Sequence, residues 1–228
     1  MTSVTVLGRE VAIPVEIRSA RSWFASFAVP RAAAARIVAP AGLEPVHLPG
    51  GRSMLSLAFI RYIDGDLDPY NEVAVAFLVT DPAGGKGKGA YIHRLPVNQE
   101  FTCAAGREIW GFPKFVTPIE IDEAARSDDA VLIVDGQMAL TMTLRRGVPA
   151  PMRSTALDAF SFHEGVLRRT RWELRGSGSR MRPGGARVDL GAGEIAEELR
   201  SLGLPKRALM SGCIGDVQMT FQAAEVVG

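Results

Sequence analysis

The sequence predicts an α+β protein: β-rich, with a largely antiparallel sheet closed into a barrel-like or cone-like structure and a few peripheral helices. Three observations lead there. Most segments between the 24 glycines and 14 prolines are rich in β-branched or aromatic residues. Several of them alternate apolar and polar side chains with period two. Helical spacing is confined to a few stretches segregated from strands that hairpins join, the pattern of an α+β fold.

Taken in order, VAIPVEI (11–17) and SWFASFAV (22–29) read as strands. PRAAAARIV (30–38) reads as a helix, with proline in its first turn, an alanine run and a stop before Pro40. MLSLAFIRYI (54–63), EVAVAFLVT (72–80) and TPIEI (117–121) are further strands. VLIVDGQMALTMTL (131–144) is a hairpin whose Asp135-Gly136 pair suits a two-residue turn with positive φ. STALDAFSF (154–162) is a weaker helix, and VLRRTRWEL (166–174) and IGDVQMTFQ (214–222) are strands. RGSGSRMRPGGAR (175–187) reads as a mobile loop inside the domain. AGEIAEELRSLG (192–203) places Ile195, Leu199 and Leu202 on one helical face and ends at Gly203. The 228 residues suffice for one substantial core, so residues 1–228 are read as a single domain.

Net charge is +1, and the only dense basic stretch runs from Arg168 to Arg187, so no footprint for nucleic acid or an anionic membrane is expected. Cys103 and Cys213 are too few for a disulfide framework, which favours a reducing compartment. The N-terminus lacks a basic region followed by a long apolar stretch, and the longest apolar run, Val73 to Val79, is too short to span a bilayer. A soluble cytoplasmic protein is the expectation.

Several motifs fail on their spacing. DGDLDPYNE (64–72) starts like a calcium loop, but Pro69 and Val75 occupy the positions that need glycine and glutamate. GGKGKGAY (84–91) has Ala90 where a phosphate-binding loop needs lysine, and reads as a flexible turn. DLGAGEIAEEL (189–199) has loose dinucleotide-type glycines but too little chain after them for the strands such a sheet requires. His47, His93 and His163 show no metal-ligand spacing, and no G-x-S-x-G elbow is present.

The segment GREIWGFPKFV (106–116) is different. Lys114 is one of only four lysines among 26 basic residues, and it sits between Phe112-Pro113 and Phe115-Val116, with Trp110 upstream. Arginine stays protonated in proteins, whereas lysine can become a neutral amine. Two ordinary readings exist: Lys114 snorkels along Trp110 or Phe112, or it is exposed on a turn after Pro113. A third is a buried amine whose proton is removed by desolvation.

GREIWGFPK resembles the signature of the acetoacetate decarboxylase family, a Gly-Arg-Glu segment followed by aromatic-Pro-Lys. The likeness extends to RSWFASFAVPRAAAARIVAP (21–40), YNEVAVAF (70–77) and LPKRALMSGCIGDVQMTFQAAEVV (204–227), and is weakest between Gly147 and Arg187. The resemblance implies a homo-oligomeric enzyme without metal or organic cofactor, in which Lys114 forms an imine with a small β-keto acid that then loses carbon dioxide. It implies Arg21 and Glu72 as partners: Arg21 to bind a substrate carboxylate or hold Glu72, and Glu72 to orient water or shuttle protons. Trp110, Phe112 and Phe115 would line the pocket and strip water from the amine. An ordinary lysine, with pKa near 10.4, is neutral in about one molecule in a thousand at pH 7. Acetoacetate decarboxylase is itself the known example of a lysine activated by apolar surroundings or a cationic neighbour. The family's usual second lysine is replaced here by Phe115, so apolar burial is expected to carry the whole shift. A further acid expected near Ser56 or Leu57 is also missing. The rival readings are a Schiff-base aldolase or hydratase-dehydratase acting on α-keto acids, and a non-catalytic small-molecule binding barrel.

Overall fold

The computed structural model describes residues 2–82, 87–124, 127–152 and 154–227. A hairpin of β1 (Thr2–Val6) and β2 (Arg9–Ile13) comes first, followed by β3 (Val15–Pro30), α1 (Arg31–Val38), β4 (Arg52–Gly65), β5 (Tyr70–Thr80) and β6 (Lys88–Arg94). Next come α2 (Glu100–Trp110), β7 (Ile119–Glu123), β8 (Ser127–Val134), β9 (Gln137–Arg145), β10 (Val148–Pro149) and β11 (Thr155–His163). The chain ends with β12 (Val166–Ser177), β13 (Arg180–Pro183), β14 (Ala186–Leu190), α3 (Glu194–Ser201) and β15 (Met210–Val226).

Strands β15, β12, β11, β6, β5, β4 and β3 hydrogen-bond in that order, and β3 pairs back onto β15 to close a seven-strand barrel. Closure removes the exposed edges that an open sheet would carry. All its ladders are antiparallel except β6 with β11. A second sheet, β14-β9-β8-β7, covers part of the barrel's outer face. The predicted α+β class and barrel closure are therefore what the chain adopts.

The barrel strands are buried on both faces. On β4 and β5, Leu55, Leu57, Phe59, Val73, Val75 and Phe77 point outward, into a core shared with Leu132, Leu140 and Met142 of the second sheet and Leu199 of α3. Ile60, Tyr62, Tyr70 and Ala74 point inward, into a separate interior cluster closed by α2 and the β1–β2 hairpin. Period-two alternation thus separates two hydrophobic cores instead of core from solvent.

That arrangement explains two corrections. The stretch 154–162, expected as a weak helix, belongs to β11 from Thr155 onward: Ala159 lies in the interior cluster while Phe160 and Phe162 lie in the outer core. A strand apolar on both sides shows no clean alternation and resembles a short helix. Residues 175–187, expected as a mobile loop, are the end of β12, all of β13 and the start of β14, held by β15 and β9. Gly178, Gly184 and Gly185 take left-handed φ of 66°, 65° and 81° in the turns between these strands, and a Cβ on Gly176 of β12 would lie 2.8 Å from Ile214 Cγ2 of β15.

The Asp135-Gly136 hairpin forms with φ of 51° and 72° at its two turn residues. In the acidic stretch 64–72, Asp64 and Asp66 pair with Arg18, and Asp68 pairs with Arg9. Of residues 84–91, expected as a flexible turn, 84–86 lie outside the described residues, while Lys88 to Tyr91 open β6, paired with β5. No helix among those described is long and apolar enough to cross a membrane.

Phe77, fully buried between barrel and second sheet, sets a test of this two-core arrangement. Phe77→Ala is expected to cost about 3–5 kcal/mol, read as a lowered denaturation midpoint with an unchanged slope.

Candidate active site

Lys114 owes its position to the end of α2. The helix starts without a strong cap residue: the Gln99 side chain accepts a hydrogen bond from the Thr102 backbone N–H. It ends at Gly111, whose left-handed φ of 63° lets its N–H reach the Arg107 carbonyl while the Phe112 N–H reaches that of Gly106. The chain then turns tightly about Pro113, with the Lys114 N–H donating to the Phe112 carbonyl at 2.7 Å. This reversal lays the lysine stem back along the helix. Its methylenes cross Gly106, where a Cβ would stand 2.5 Å from Lys114 Cδ and 2.7 Å from Cε. The glycine of the Gly-Arg-Glu segment is thus the seat of the lysine.

Glu72 arrives from β5 through two bridges. Val97 pairs antiparallel with Glu72 and parallel with Val116, two residues beyond the lysine. The Lys114 ammonium lies 2.8 Å from Glu72 Oε2, with 4% of Lys114 and 4% of Glu72 exposed. Tyr62 donates to the other oxygen, Oε1, at 2.8 Å, and the ammonium also donates to Thr102 Oγ1 at 3.2 Å. It sits 4.9 Å from the centroid of the Tyr70 ring, itself stacked on Tyr62 at 4.1 Å.

These groups face an interior cavity of about 90 Å³. All seven barrel strands contribute to its wall, through Ile17, Ile60, Ala74, Ile92, Ala159, Trp172 and Phe221. Trp110 and Phe112 complete it, and the Trp110 indole donates to the Gln222 carbonyl at 2.8 Å. Both ordinary readings of Lys114, snorkelling and exposure, are excluded by this burial.

The electrostatics correct the expectation of a depressed pKa. Burial pulls Lys114 downward, but the Glu72 carboxylate at 2.8 Å and the neighbouring Tyr70 outweigh it, so the amine stands above its ordinary value. Burial pushes Tyr70 up to about 12, and burial together with the Glu72 charge lifts Tyr62 well above the ordinary tyrosine value. The resting site is therefore an ion pair of Lys114 with Glu72. Cys103 is pushed up by burial, which suits a structural thiol.

Two of the expected site residues lie elsewhere. Arg21 is on the outer face of β3, where it binds Glu123 at 2.5 Å together with Arg61. The pairing of β3 shifts register between Ile17 and Ala20, and both of these residues join the interior cluster although they are three apart. The alternation slips there by one, and Arg21 falls outward with Trp23, Ala25 and Phe27. Phe115 packs against the outer core, because neighbours along an extended segment point to opposite sides. Neither Arg21 nor Phe115 lines the cavity. Ser56 shares a hydrogen bond with Ser26, and Leu57 is buried in the outer core.

Tyr62, Thr102 and Trp172 were not singled out from the sequence, and Gly106 entered only as part of the Gly-Arg-Glu signature. The spacing of Thr102, Gly106 and Trp110, four residues each, would have marked one helical face had α2 been recognised. Tyr62 and Trp172 carried no signal beyond being aromatic strand residues. Among the described residues no group of three His, Cys, Asp or Glu is placed to hold a metal ion.

Two outcomes test this geometry. Titration of the Lys114 side chain by NMR is expected to show a midpoint above the ordinary lysine value of about 10.4. In Glu72→Gln the carboxylate that opposes burial most strongly is gone while Tyr70 remains, and the midpoint is expected to fall from its wild-type position. Gly106→Ala should preserve the helix, since alanine is the better helix former by about 1 kcal/mol. Its methyl displaces the Lys114 stem, so the rate of imine formation by Lys114 should drop while far-ultraviolet circular dichroism stays unchanged.

Comparison with known proteins agrees with this architecture. A structure of acetoacetate decarboxylase is similar with TM-score 0.74 and 16% identity, over 95% of this chain and 90% of that one. The acetoacetate decarboxylase of Legionella pneumophila subsp. pneumophila str. Philadelphia 1 gives 0.73 and 16%, over 96% and 91%. The enduracididine biosynthesis enzyme MppR complexed with pyruvate gives 0.73 and 15%, over 96% and 92%. At these identities the likeness establishes the shared fold. No curated protein sequence matches the chain significantly. A sequence model of one family, described as acetoacetate decarboxylase (ADC), matches residues 8–227, and the chain belongs to that family.

Proposed function

We propose that the chain is a Schiff-base lyase that decarboxylates a small β-keto acid such as acetoacetate or an analogue. The observation that carries this reading is the buried Lys114–Glu72 ion pair at 2.8 Å on the wall of an apolar cavity. A lysine amine, a carboxylate able to take its proton and a dry space for a carbonyl compound are the parts that imine chemistry needs.

The steps follow from the contacts. Lys114 passes a proton to Glu72, and the freed nitrogen pair attacks the ketone carbon while the carbonyl π electrons move to oxygen. Protons exchanged through Glu72 convert the adduct to a neutral carbinolamine. The Glu72 acid then protonates the hydroxyl, which leaves as water, and the nitrogen pair closes the iminium. Tyr62 holds Oε1, leaving Oε2 to do this work.

In a β-keto acid the bond to the carboxylate then breaks, its electrons form the enamine double bond, and carbon dioxide departs. Iminium and carboxylate charges vanish together, a change that low-dielectric walls favour. The enamine carbon takes a proton from water, relayed by Glu72, and hydrolysis of the resulting iminium releases ketone and lysine. MppR, complexed with pyruvate, makes an α-keto acid the rival substrate class. Arg21 has no part in these steps, because its guanidinium is held by Glu123 on the outer face.

Borohydride added during incubation with acetoacetate is expected to fix substrate-derived mass on Lys114, seen by mass spectrometry, and carbon dioxide should be released without borohydride. Lys114→Arg should abolish the adduct and lower turnover by on the order of 10³-fold or more. Glu72→Gln should lower it by about 10²–10⁴-fold. Absence of any adduct across a panel of keto acids would favour a binding module, and an adduct with aldol products but no carbon dioxide would favour the aldolase.

A further inference from the structure

We infer that the cavity has no seat for a carboxylate that outlasts the imine, so that its substrates carry a short, uncharged remainder and α-keto acids or keto dicarboxylic acids are rejected. This rests on the Schiff-base reading above and concerns what that site admits.

The argument is a count of charges and donors. Among the described residues lining the cavity, Lys114 is the single cation and Glu72 the single anion, and they are paired at 2.8 Å. No arginine lines it: Arg21, the candidate carboxylate anchor, is bound to Glu123 on the far side of β3. Phe115 occupies the position of a second lysine and also points away. The neutral donors are mostly committed: Tyr62 to Glu72, Trp110 to the Gln222 carbonyl, and the Tyr70 hydroxyl is hydrogen-bonded with Tyr62 and Thr102. The Trp172 indole N–H is buried without a hydrogen-bond partner. One neutral donor suits a carbonyl or hydroxyl oxygen and falls far short of what a buried carboxylate requires.

The consequences differ by substrate. The iminium of an uncharged ketone reproduces the resting site, one cation beside the Glu72 anion. An acid adds a second anion. In a β-keto acid this crowding is relieved when carbon dioxide leaves, and three buried charges become one. In an α-keto acid attacked at its ketone the carboxylate stays through every step, beside Glu72 and among apolar walls. A keto dicarboxylic acid keeps its second carboxylate in the same way. The cavity, about 90 Å³ and walled by Ile60, Ala74 and Ala159, suits a short alkyl remainder.

The experiment compares butanone with pyruvate on the wild-type protein. Each is incubated at equal concentration with cyanoborohydride, the rate of mass addition at Lys114 is measured, and each rate is divided by that for Nα-acetyl-lysine. Free in solution pyruvate has the more electrophilic carbonyl, so chemistry alone favours it. The expected result is the reverse, with normalised labelling by butanone faster by about tenfold or more. In Glu72→Gln the extra anion is gone and the ratio should narrow. Pyruvate labelling as fast as butanone in the wild type overturns the inference and leaves the Schiff-base reading intact, as does a ratio unchanged in Glu72→Gln. Labelling by neither compound overturns both.

Discussion

Two opposite charges, brought within 2.8 Å of each other in an otherwise apolar cavity, organise this molecule. Burying either charge alone would cost several kcal/mol or force it to neutralise. Together they are tolerated because each is the other's counter-charge, and because Tyr62 and Thr102 satisfy further hydrogen-bonding positions. In the proposed mechanism the same closeness that holds the lysine protonated supplies the base to which its proton goes, so that a paired carboxylate takes the activating role that the apolar flanks of Lys114 suggested for desolvation.

Bringing the pair together makes demands on local structure that would otherwise be unfavourable. Gly106 in the middle of α2 weakens the helix by roughly 1 kcal/mol relative to alanine. It is there because the lysine methylenes come within contact of the helix backbone. Gly111 reverses the chain after the helix, and Pro113 turns it again, so that a residue following α2 points back toward its middle. The bond from Ser161 Oγ to the Trp110 carbonyl ties this end of α2 to β11. Punctuation that looks like loop sequence is, in the folded chain, the frame of the site.

The barrel explains where reading the sequence succeeded and where it did not. Long apolar strands and the Asp135-Gly136 hairpin were legible because β-propensity and turn chemistry are local properties. The strand at 155–163 was not, because burial on both faces erases the period-two signal. The helix at 100–110 was not, because Gln99 is a poor cap and Gly106 a poor helix former. Arg21 was expected at the site through the family resemblance of its strand; a slip in alternation between Ile17 and Ala20 turns it outward, and no residue type announces such a slip.

By itself, the sequence determined the β-rich class and, through the resemblance carried by its Gly-Arg-Glu…Phe-Pro-Lys segment, the acetoacetate decarboxylase family, with Lys114 and Glu72 as candidates that this resemblance implies. Tertiary structure alone decided which side each strand residue faces, that Lys114 lies over Gly106 against Glu72, and that the cavity contains no other cation among its described lining residues. Those outcomes depend on strand register and on contacts between segments far apart in sequence, where a displacement by one residue exchanges the interior of a barrel for its exterior.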